Sequence, residues 1–298
     1  MNHLPSINIV GLGEVLWDMF PDGKRLGGAP ANFVYNISQF GLPAKVVSAV
    51  GDDSLGQQAI DELDRLEIDN MIAVLPSATG VVDVSLDGKG VPVYSIRDNM
   101  AYDFIPMGET LRNLAHETTV VCFGTLAQRN PVSRATINMF LDTMPDGRGR
   151  LKVFDINLRQ NFYSREVIEQ SLMRCNILKI NDEELEIVRR LLNYSGLREE
   201  DLCKKLLCDY SLDCVVLTCG ADGSHVFGRR GSESFISAPE IDVADTVGAG
   251  DAFTAAFTAS LISGKSIEDA HRKAVEVASY VCSHSGALCR LPESLTTL

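Results

Sequence analysis

The feature that most constrains the fold is a repeated alternation between short, β-rich apolar runs and longer segments with helical periodicity. The runs predicted to form strands are Ile7–Val10, Lys45–Val50, Val120–Phe123, Val153–Asp155, Ile177–Ile180 and Val215–Thr218. The predicted helices are Ala31–Phe40, the stretch from Leu55 to Leu66, Ser133–Met144, Arg165–Cys175, Asp182–Leu192 and Glu199–Tyr210. Strands that alternate with helices form a mainly parallel sheet with helices on both faces. Ligands of such sheets bind at the carboxyl ends of the strands, so the polar residues that follow each strand are the candidates for function.

Two segments interrupt the alternation and predict a second, smaller sheet. Val15–Leu26 is short and contains the turn residues Pro21-Asp22-Gly23. Gly80–Arg97 alternates like a hairpin around Asp87-Gly88-Lys89-Gly90. A small sheet of this kind can close over a ligand and exclude water from it. The alternative interpretation is a surface hairpin without a gating role.

The balance of charge argues against one large class of partners. The 298 residues include 27 Lys and Arg against 40 Asp and Glu, which gives a net charge of −13. Proteins that bind nucleic acid present an excess of basic residues, so we expect no nucleic-acid partner. An acidic protein that binds a nucleotide triphosphate must attract it locally, through helix N-termini, backbone N–H groups and a few basic side chains.

The sequence also predicts a cytoplasmic protein with no membrane partner. No apolar run reaches the roughly 18 residues that a membrane-spanning helix requires. The first residues lack the basic and apolar regions of a secretory signal. The eight cysteines are scattered and form no C-x-x-C pair. We therefore expect reduced cysteines rather than a zinc site or a disulfide framework.

The strongest local signal is the run Asp245-Thr246-Val247-Gly248-Ala249-Gly250-Asp251, which is followed by an apolar helical stretch. Its glycines free the backbone to turn N–H groups inward, and the helix N-terminus directs positive partial charge at an anion such as a phosphate. Asp251, in the first turn, can accept a proton from an attacking hydroxyl. The alternative is a Gly-rich turn with Asp251 as an ordinary capping residue.

Two commoner nucleotide-binding patterns are incomplete in this chain. Gly264-Lys265-Ser266 resembles the end of a P-loop, but the Gly that should precede it is replaced by Ala259. Gly11-Leu12-Gly13 follows a predicted strand, but the third Gly of a dinucleotide fingerprint is replaced by Leu16. If the chain binds a nucleotide, it does so in another way.

Polar residues near the N-terminus suit a sugar. Gly27-Gly28-Ala29-Pro30-Ala31-Asn32 leads into a predicted helix, and the Asn32 amide both donates and accepts hydrogen bonds. The Asp18 carboxylate accepts hydrogen bonds from hydroxyl groups. Taken singly, each of these residues is also typical of a turn or a helix cap.

Three further motifs follow predicted strands. Asp155-Ile156-Asn157-Leu158-Arg159 and Asn181-Asp182-Glu183-Glu184 offer carboxylates that can organise Mg²⁺ and its waters. The alternative for the second motif is a capping box between Asn181 and Glu184. Thr218-Cys219-Gly220-Ala221-Asp222-Gly223 is a turn between two strands, with enough glycine to admit a nucleotide against the backbone.

Together, these motifs resemble the ribokinase-like (PfkB) family of sugar kinases over essentially the whole chain. The run Asp245–Asp251 resembles the most specific signature of that family, and Gly27–Gly41 resembles its N-terminal signature. The resemblance implies an α/β fold, a three-layer sandwich with a mainly parallel central sheet and a small β-sheet lid. It implies one kinase domain over residues 1–298, with the lid formed by about 14–28 and 79–103 and able to form a homodimer.

The resemblance also implies roles for individual residues. Asp251 would be the catalytic base, and Gly248, Ala249 and Gly250 would form an anion hole. The sugar-binding residues would be Asp18, Gly28, Asn32, Arg97 and Arg159. The nucleotide-binding residues would be Asn181, Glu184, Thr218, Gly220, Gly223 and Gly250.

The implied cofactors are ATP and Mg²⁺, together with a monovalent cation. Glu184 would act on Mg²⁺ through water. Members of the family often bind K⁺ beside the anion hole, and the matching oxygen ligands would lie near Asp245, Val247 and residues 281–290.

The motifs favour fructose as the sugar. Gly13–Asp18 and Gly27–Asn32 look more like fructokinases than ribokinases, which tend to place Lys where this chain has Ala29. We therefore predict ATP-dependent phosphorylation of a primary hydroxyl of fructose. The alternatives are a kinase for ribose, 2-keto-3-deoxygluconate or a nucleoside, and a non-catalytic sugar-sensing module. A phosphorylated sugar is disfavoured because no extra basic cluster lies near the sugar motifs.

Overall fold

The computed structural model describes residues 7–86, 92–147, 149–229 and 231–298. The strands are β1 (Ile9–Leu12), β2 (Leu16–Phe20), β3 (Gly23–Gly27), β4 (Ala44–Gly51), β5 (Asp69–Leu75), β6 (Gly80–Leu86), β7 (Pro92–Ile96), β8 (Val120–Phe123), β9 (Leu151–Asp155), β10 (Ile177–Asn181), β11 (Cys214–Thr218), β12 (Ser224–Gly228) and β13 (Glu233–Ile236). The α-helices are α1 (Ala29–Ser38), α2 (Ser54–Arg65), α3 (Glu109–Glu117), α4 (Pro131–Thr143), α5 (Arg165–Leu172), α6 (Asp182–Leu191), α7 (Glu199–Asp209), α8 (Ala249–Ile262), α9 (Ile267–Cys282) and α10 (Glu293–Thr296).

Nine strands form the central sheet, in the order β13-β12-β11-β10-β9-β8-β1-β4-β5. The strands from β11 to β5 are parallel to their neighbours, while β12 and β13 are antiparallel additions at one edge. The alternation of strand and helix in the sequence therefore gives the mainly parallel sheet that was expected, and the loops after β1, β9, β10 and β11 meet at one edge.

Helices cover both faces of this sheet. Buried residues of α1, α2, α8 and α9 form one core cluster with one face of the strands. Residues of α3 to α7 form a second cluster with the other face. The predicted three-layer α/β arrangement is confirmed. None of the helices in the described residues is both long and apolar enough to cross a lipid bilayer.

A separate four-stranded sheet has the order β3-β2-β6-β7. The β2–β3 and β6–β7 pairs are antiparallel, and β2 pairs with β6 in parallel. The turn predicted at Asp87–Gly90 lies outside the described residues. Leu16, Val82 and Ile96 share one face of this small sheet and join the core cluster that also contains Tyr102. This inner face therefore packs towards the main body of the protein.

The first strand is displaced from its predicted position. Ile7–Val10 was expected, whereas the strand is Ile9–Leu12. Its partners explain the difference: Gly11 and Leu12 pair with β4 on one side and with β8 on the other. The glycine does not end the strand, because its missing side chain makes room for the Pro30 carbonyl at the start of α1.

Candidate active site

A hydrogen bond between the two ends of the chain defines the site. The Asn32 side chain, on the first turns of α1, donates from Nδ2 to Oδ2 of Asp251 at 2.8 Å. Asn32 is only 5% exposed. The N-terminal sugar motif and the C-terminal glycine motif, 219 residues apart in sequence, therefore meet at one point.

The N-terminus of α8 has the form expected of an anion site. Gly248 is the N-cap residue and adopts the left-handed conformation, with φ 79°. A side chain there would be strained, and its Cβ would also collide with Ala287. Ala249, Gly250 and Asp251 form the first turn. The Ala249 N–H points to the Thr246 carbonyl at 3.3 Å, whereas the N–H groups of Gly250 and Asp251 have no partner within the helix. These donors and the helix dipole favour an anion over Gly248–Gly250.

Asp251 has the properties of a proton acceptor. Burial, together with the nearby Asp155 carboxylate, raises the pKa of Asp251 to about 6. The hydrogen bond from Asn32 and the positive charges of Lys179 and Arg159 act in the opposite direction. A carboxylate with a pKa near 6 is ionised at neutral pH and is a stronger base than an exposed Asp.

The residues predicted to bind a sugar, apart from Arg97, lie near Asp18 on the small sheet. Asp18 pairs in register with Val82 of β6 and with Arg25 of β3, so it lies on the inner face. Burial raises the pKa of Asp18 to about 6, while Arg159 and Arg25 lower it. The charge of Arg159 also lowers the pKa of Asp251, so this guanidinium lies near enough to act on both carboxyl groups. Gly28 is the N-cap residue of α1 and packs on the Glu14 carbonyl.

Arg97 is not brought to this site. Its neighbour Ile96 is buried on the inner face of the small sheet, so Arg97 projects from the opposite face. There Nε and Nη2 of Arg97 donate to the two carboxylate oxygens of Asp83, each at 2.8 Å. Both side chains are about half exposed, at 56% and 46%. The predicted contact of Arg97 with the sugar conflicts with this placement.

Asn181 and Glu184 form the capping box of α6. The Asn181 side chain accepts a hydrogen bond from the Glu184 N–H at 2.8 Å, and Glu184 Oε2 accepts one from the Asn181 N–H at 2.9 Å. Glu184 Oε1 accepts from the Leu158 N–H at 2.8 Å. Glu184 is 5% exposed, and burial raises its pKa. The structural alternative for this motif is therefore realised, and both carboxylate oxygens already have backbone partners.

These contacts bear on how Mg²⁺ can be held. Within the described ranges, no three His, Cys, Asp or Glu side chains are grouped closely enough to bind a metal ion. Each oxygen of Glu184 retains a lone pair that can accept a hydrogen bond from water. Glu184 thus fits a role on Mg²⁺ through water and does not fit direct coordination.

Asp245 anchors the loop that leads into α8. Its Oδ1 accepts a hydrogen bond from the Val247 N–H at 3.0 Å, and its Oδ2 accepts one from the Gly286 N–H at 3.1 Å. The Asp245 N–H in turn donates to the Cys282 carbonyl at 3.2 Å. The segments predicted to bind a monovalent cation therefore lie together beside the anion site.

The predicted nucleotide turn follows β11. Thr218 ends the strand, and Gly220 begins a short 3₁₀ helix, Gly220–Asp222. Gly223 follows and packs against the Ile236 carbonyl of β13. Gly220 is exposed, so the turn is open to solvent at the same edge of the sheet as the other motifs.

Sequence reasoning missed an ion pair beneath the anion site. Lys179 and Asp155 lie on the adjacent strands β10 and β9, and Lys179 Nζ is 3.1 Å from Asp155 Oδ1. The two residues are 8% and 4% exposed. A lysine inside the apolar run Ile177–Ile180 was the available signal, because lysine is almost never fully buried unless it is paired.

Glu14 is a second residue that sequence reasoning did not single out. It follows β1 and is 4% exposed, and burial raises its pKa to about 7. The charges of Arg159 and Asp251 act on it. The site therefore contains four carboxyl groups with raised pKa values: Glu14, Asp18, Glu184 and Asp251.

Comparison with protein families identifies the class of this site. A family model described as pfkB family carbohydrate kinase matches residues 17–293. The ATP-dependent 6-phosphofructokinase of Thermoanaerobacterium thermosaccharolyticum is 28% identical over 305 residues, which cover 96% of this chain and 91% of the relative. A fructokinase of Klebsiella pneumoniae is 28% identical over 266 residues, which cover 84% and 83%.

Comparison with solved structures gives the same fold. The crystal structure of a fructokinase from Xylella fastidiosa with bound ATP has a TM-score of 0.81 to this chain. The two sequences are 18% identical, and the match covers 94% of each. The arrangement of sheet, helices and small second sheet is therefore shared with a protein that binds ATP.

Proposed function

Because the chain belongs to the pfkB family of carbohydrate kinases and is thus an ATP-dependent sugar kinase, we propose that it phosphorylates a primary hydroxyl of fructose. The similarity to a fructokinase from Klebsiella pneumoniae supports fructose as the sugar. The fructokinase-like motifs Gly13–Asp18 and Gly27–Asn32 support it independently.

The observation that supports this proposal most strongly is the hydrogen bond from Asn32 to Asp251. It holds the proton acceptor beside a residue suited to sugar hydroxyls, at the N-terminus of a helix suited to phosphate. A base, an acceptor site and an anion site within one small region are what phosphoryl transfer to a hydroxyl requires.

Each residue then has a chemical task. Asp18, Gly28, Asn32 and Arg159 bind and orient the sugar, and Asp251 accepts the proton of its primary hydroxyl. The hydroxyl oxygen bonds to the γ-phosphorus of ATP as the bond to the β–γ bridging oxygen breaks, which releases ADP. The N–H groups of Gly248–Gly250 stabilise the charge on the transferred group.

The nucleotide side of the site completes the proposal. The turn with Thr218, Gly220 and Gly223, in which Gly220 is exposed, receives the nucleotide at the edge of the sheet. Mg²⁺, when bound with ATP, neutralises charge on the phosphate oxygens. Glu184 would hold one of its waters, and K⁺ would lie near Asp245 and Val247. The small sheet, about residues 14–28 and 79–103, would close over the sugar as a lid and exclude water.

The substrate is tested with a panel of acceptors, with ADP release measured at saturating ATP and Mg²⁺. We expect kcat/KM for fructose to exceed the values for ribose, 2-keto-3-deoxygluconate and a nucleoside by about 10-fold or more. A higher kcat/KM for any of the other acceptors would contradict fructose. Absence of turnover with every acceptor would favour the sugar-sensing alternative.

The base is tested in the same assay with Asp251→Asn. We expect kcat to fall by about 10²-fold or more with a smaller effect on KM, because the amide cannot accept the proton. Asp242→Asn is the matched control, since Asp242 is exposed on the loop before α8 and should leave kcat unchanged. Near-normal turnover of Asp251→Asn would rule out this residue as the base.

Fructose 6-phosphate is the second candidate substrate. The relative from Thermoanaerobacterium thermosaccharolyticum is named a 6-phosphofructokinase. Two guanidinium groups, those of Arg25 and Arg159, lower the pKa of Asp18 and so lie close to the sugar side of the site. Arginine is well suited to phosphate recognition, so the panel includes this phosphorylated sugar, and a preference for it would replace fructose in the proposal.

A further inference from the structure

Lys179 is a buried ammonium at the base of the site. It lies on β10 in register with Asp155 of β9, and the two side chains form an ion pair at 3.1 Å. Burying such a pair costs desolvation energy that the attraction between the charges only partly offsets. A buried ion pair is therefore weak evidence for stability, and its surroundings must explain its presence.

The ion pair is connected to the first turn of α8. The Thr254 hydroxyl donates to Asp155 Oδ2 at 2.8 Å and lies 3.0 Å from the Gly250 carbonyl oxygen. Lys179 Nζ lies directly against Gly250, 3.0 Å from the position that a Cβ would occupy there. Lys179 and Asp155 thus contact the helix turn that contains the anion site and the base.

The charge of Lys179 acts on the carboxylates around it. Burial alone would lower the pKa of Lys179, but Asp155, Glu184 and Asp251 together raise it above the ordinary value. The ammonium therefore remains protonated. It faces three carboxyl groups, those of Asp155 on β9, Glu184 on α6 and Asp251 on α8. One of the three, Asp251, must be ionised to accept a proton.

We propose that Lys179 is a positioning residue for phosphoryl transfer, which fixes the first turn of α8 through Asp155 and Thr254 and keeps Asp251 ionised beneath the bound phosphate. The inference rests on the proposed role of Asp251 as the base. It adds to the site a buried lysine of β10 that no sequence motif had singled out.

The two members of the ion pair have opposite effects on the base. Lys179 lowers the pKa of Asp251, whereas Asp155 raises it. The titratable groups that face Asp251 are Asp155 of β9, Arg159 of the loop after β9, Lys179 of β10, Glu14 after β1 and the Cys122 thiol of β8. Substituting Lys179 or Asp155 changes one of these charges and leaves the other groups in place.

The test compares kcat/KM as a function of pH for the intact enzyme, Lys179→Met and Asp155→Asn, with the acceptor that the panel identifies. We expect the acidic limb of Lys179→Met to move to higher pH by about one unit and that of Asp155→Asn to move to lower pH by a similar amount. ATP also titrates in this range, but it does so equally for all three proteins, so differences between them report the protein.

Loss of positioning has its own readout. At pH values above the acidic limb, we expect kcat of Lys179→Met to be lower by about 10- to 100-fold, because the turn of α8 is no longer held in place. For Lys179→Ala, methylammonium or ethylammonium in the assay should restore part of the lost kcat. A purely structural lysine would lower the melting temperature without producing such rescue.

A double variant covers the case in which Lys179→Met does not fold. Lys179→Met with Asp155→Asn removes both charges, and neutral replacement of a buried pair is often tolerated. We expect its acidic limb to return towards that of the intact enzyme while its kcat stays low. The proposal is overturned if the two single variants shift the limb in the same direction, or if the folded double variant keeps full kcat.

Failure of the proposed role of Lys179 can be distinguished from failure of Asp251 as the base. If Asp251→Asn turns over normally, the base is wrong and the acidic limb cannot be assigned to Asp251. If Asp251→Asn is inactive but neither member of the ion pair moves the limb, the base stands and the role of Lys179 is rejected.

Discussion

The Asp251 carboxyl group has two oxygens with different tasks. Oδ2 accepts the hydrogen bond from Asn32, which fixes the orientation of the carboxylate and favours its charged form. Oδ1 is then free to accept the proton of a substrate hydroxyl. One amide therefore both orients the base and limits how far burial can raise its pKa.

This arrangement predicts an acidic limit to activity. Burial raises the pKa of Asp251 to about 6, so the base is ionised at pH 7 and becomes protonated as the pH falls through 6. We expect kcat/KM to be constant near neutrality and to fall about tenfold per unit below pH 6. Asn32→Ala removes the hydrogen bond that favours the charged form and should move this limit to higher pH. A profile that stays flat down to pH 5 would contradict Asp251 as the titrating base.

The sequence predicted, from local motifs, residues that the structure brings together at the N-terminus of α8. Asp251, Gly248–Gly250 and Asn32 lie in glycine-containing runs at helix N-termini, where local geometry already indicates an anion or a ligand. Lys179 was missed because its function depends on Asp155, a partner on the neighbouring strand that no local pattern reveals. For Arg97, the strand alternation that predicts the hairpin also places the side chain on the opposite face from Ile96.

At the scale of secondary structure elements, α6 illustrates a motif with two compatible functions. Its capping box satisfies backbone groups at the helix N-terminus, and the same Glu184 carboxylate lies at the ligand edge of the sheet. The Leu158 N–H also donates to it, so the loop that leads to Arg159 is fixed by the same side chain. Capping and a water-mediated role on Mg²⁺ therefore do not exclude each other.

Glu184→Gln separates the two functions. Gln keeps one oxygen for the capping box, but its NH₂ group replaces the oxygen that accepts from the Leu158 N–H, so we expect a moderate fall in melting temperature. The loss of charge should raise the Mg²⁺ concentration for half-maximal activity by about 10-fold. Glu183→Gln, one residue earlier and exposed, is the matched control and should alter neither quantity. If Glu184→Gln retains the normal Mg²⁺ dependence, Glu184 is a capping residue only.

Several elements were predictable because their pattern is local. Val120–Phe123 was predicted with the bounds that the structure has, since a short apolar run in a buried parallel strand needs no further information. The strand β5, Asp69–Leu75, was not predicted. It is an edge strand with mostly half-buried residues. Its extended conformation depends on pairing with β4, which the sequence of the strand alone does not reveal.

At the scale of the whole molecule, side chains connect the small sheet to the main body on two sides. Trp17 of β2 donates from Nε1 to the Leu55 carbonyl of α2 at 2.9 Å. On the other side, Gln160 donates from Nε2 to the Tyr94 carbonyl of β7 at 2.8 Å. If the small sheet moves as a lid, at least one of these two hydrogen bonds must therefore change in length or break. The homodimer expected through this sheet stays a prediction.

Trp17 offers a direct measurement of that movement. It is the single tryptophan of the chain, it is 5% exposed, and it precedes the sugar-side residue Asp18. If the sheet closes on the sugar, the packing of the indole against α2 and the ammonium of Lys24, which lies 4.0 Å from its ring, should change. We therefore expect a saturable change in tryptophan emission on titration with fructose, with a midpoint close to the dissociation constant measured by calorimetry.

Asp18→Ala should abolish the change by removing the sugar contact, whereas Asp83→Ala, on the outer face, should preserve it. Sugar binding detected by calorimetry without any change in emission would show that the sheet around Trp17 stays fixed, and the proposed lid would then have to be abandoned.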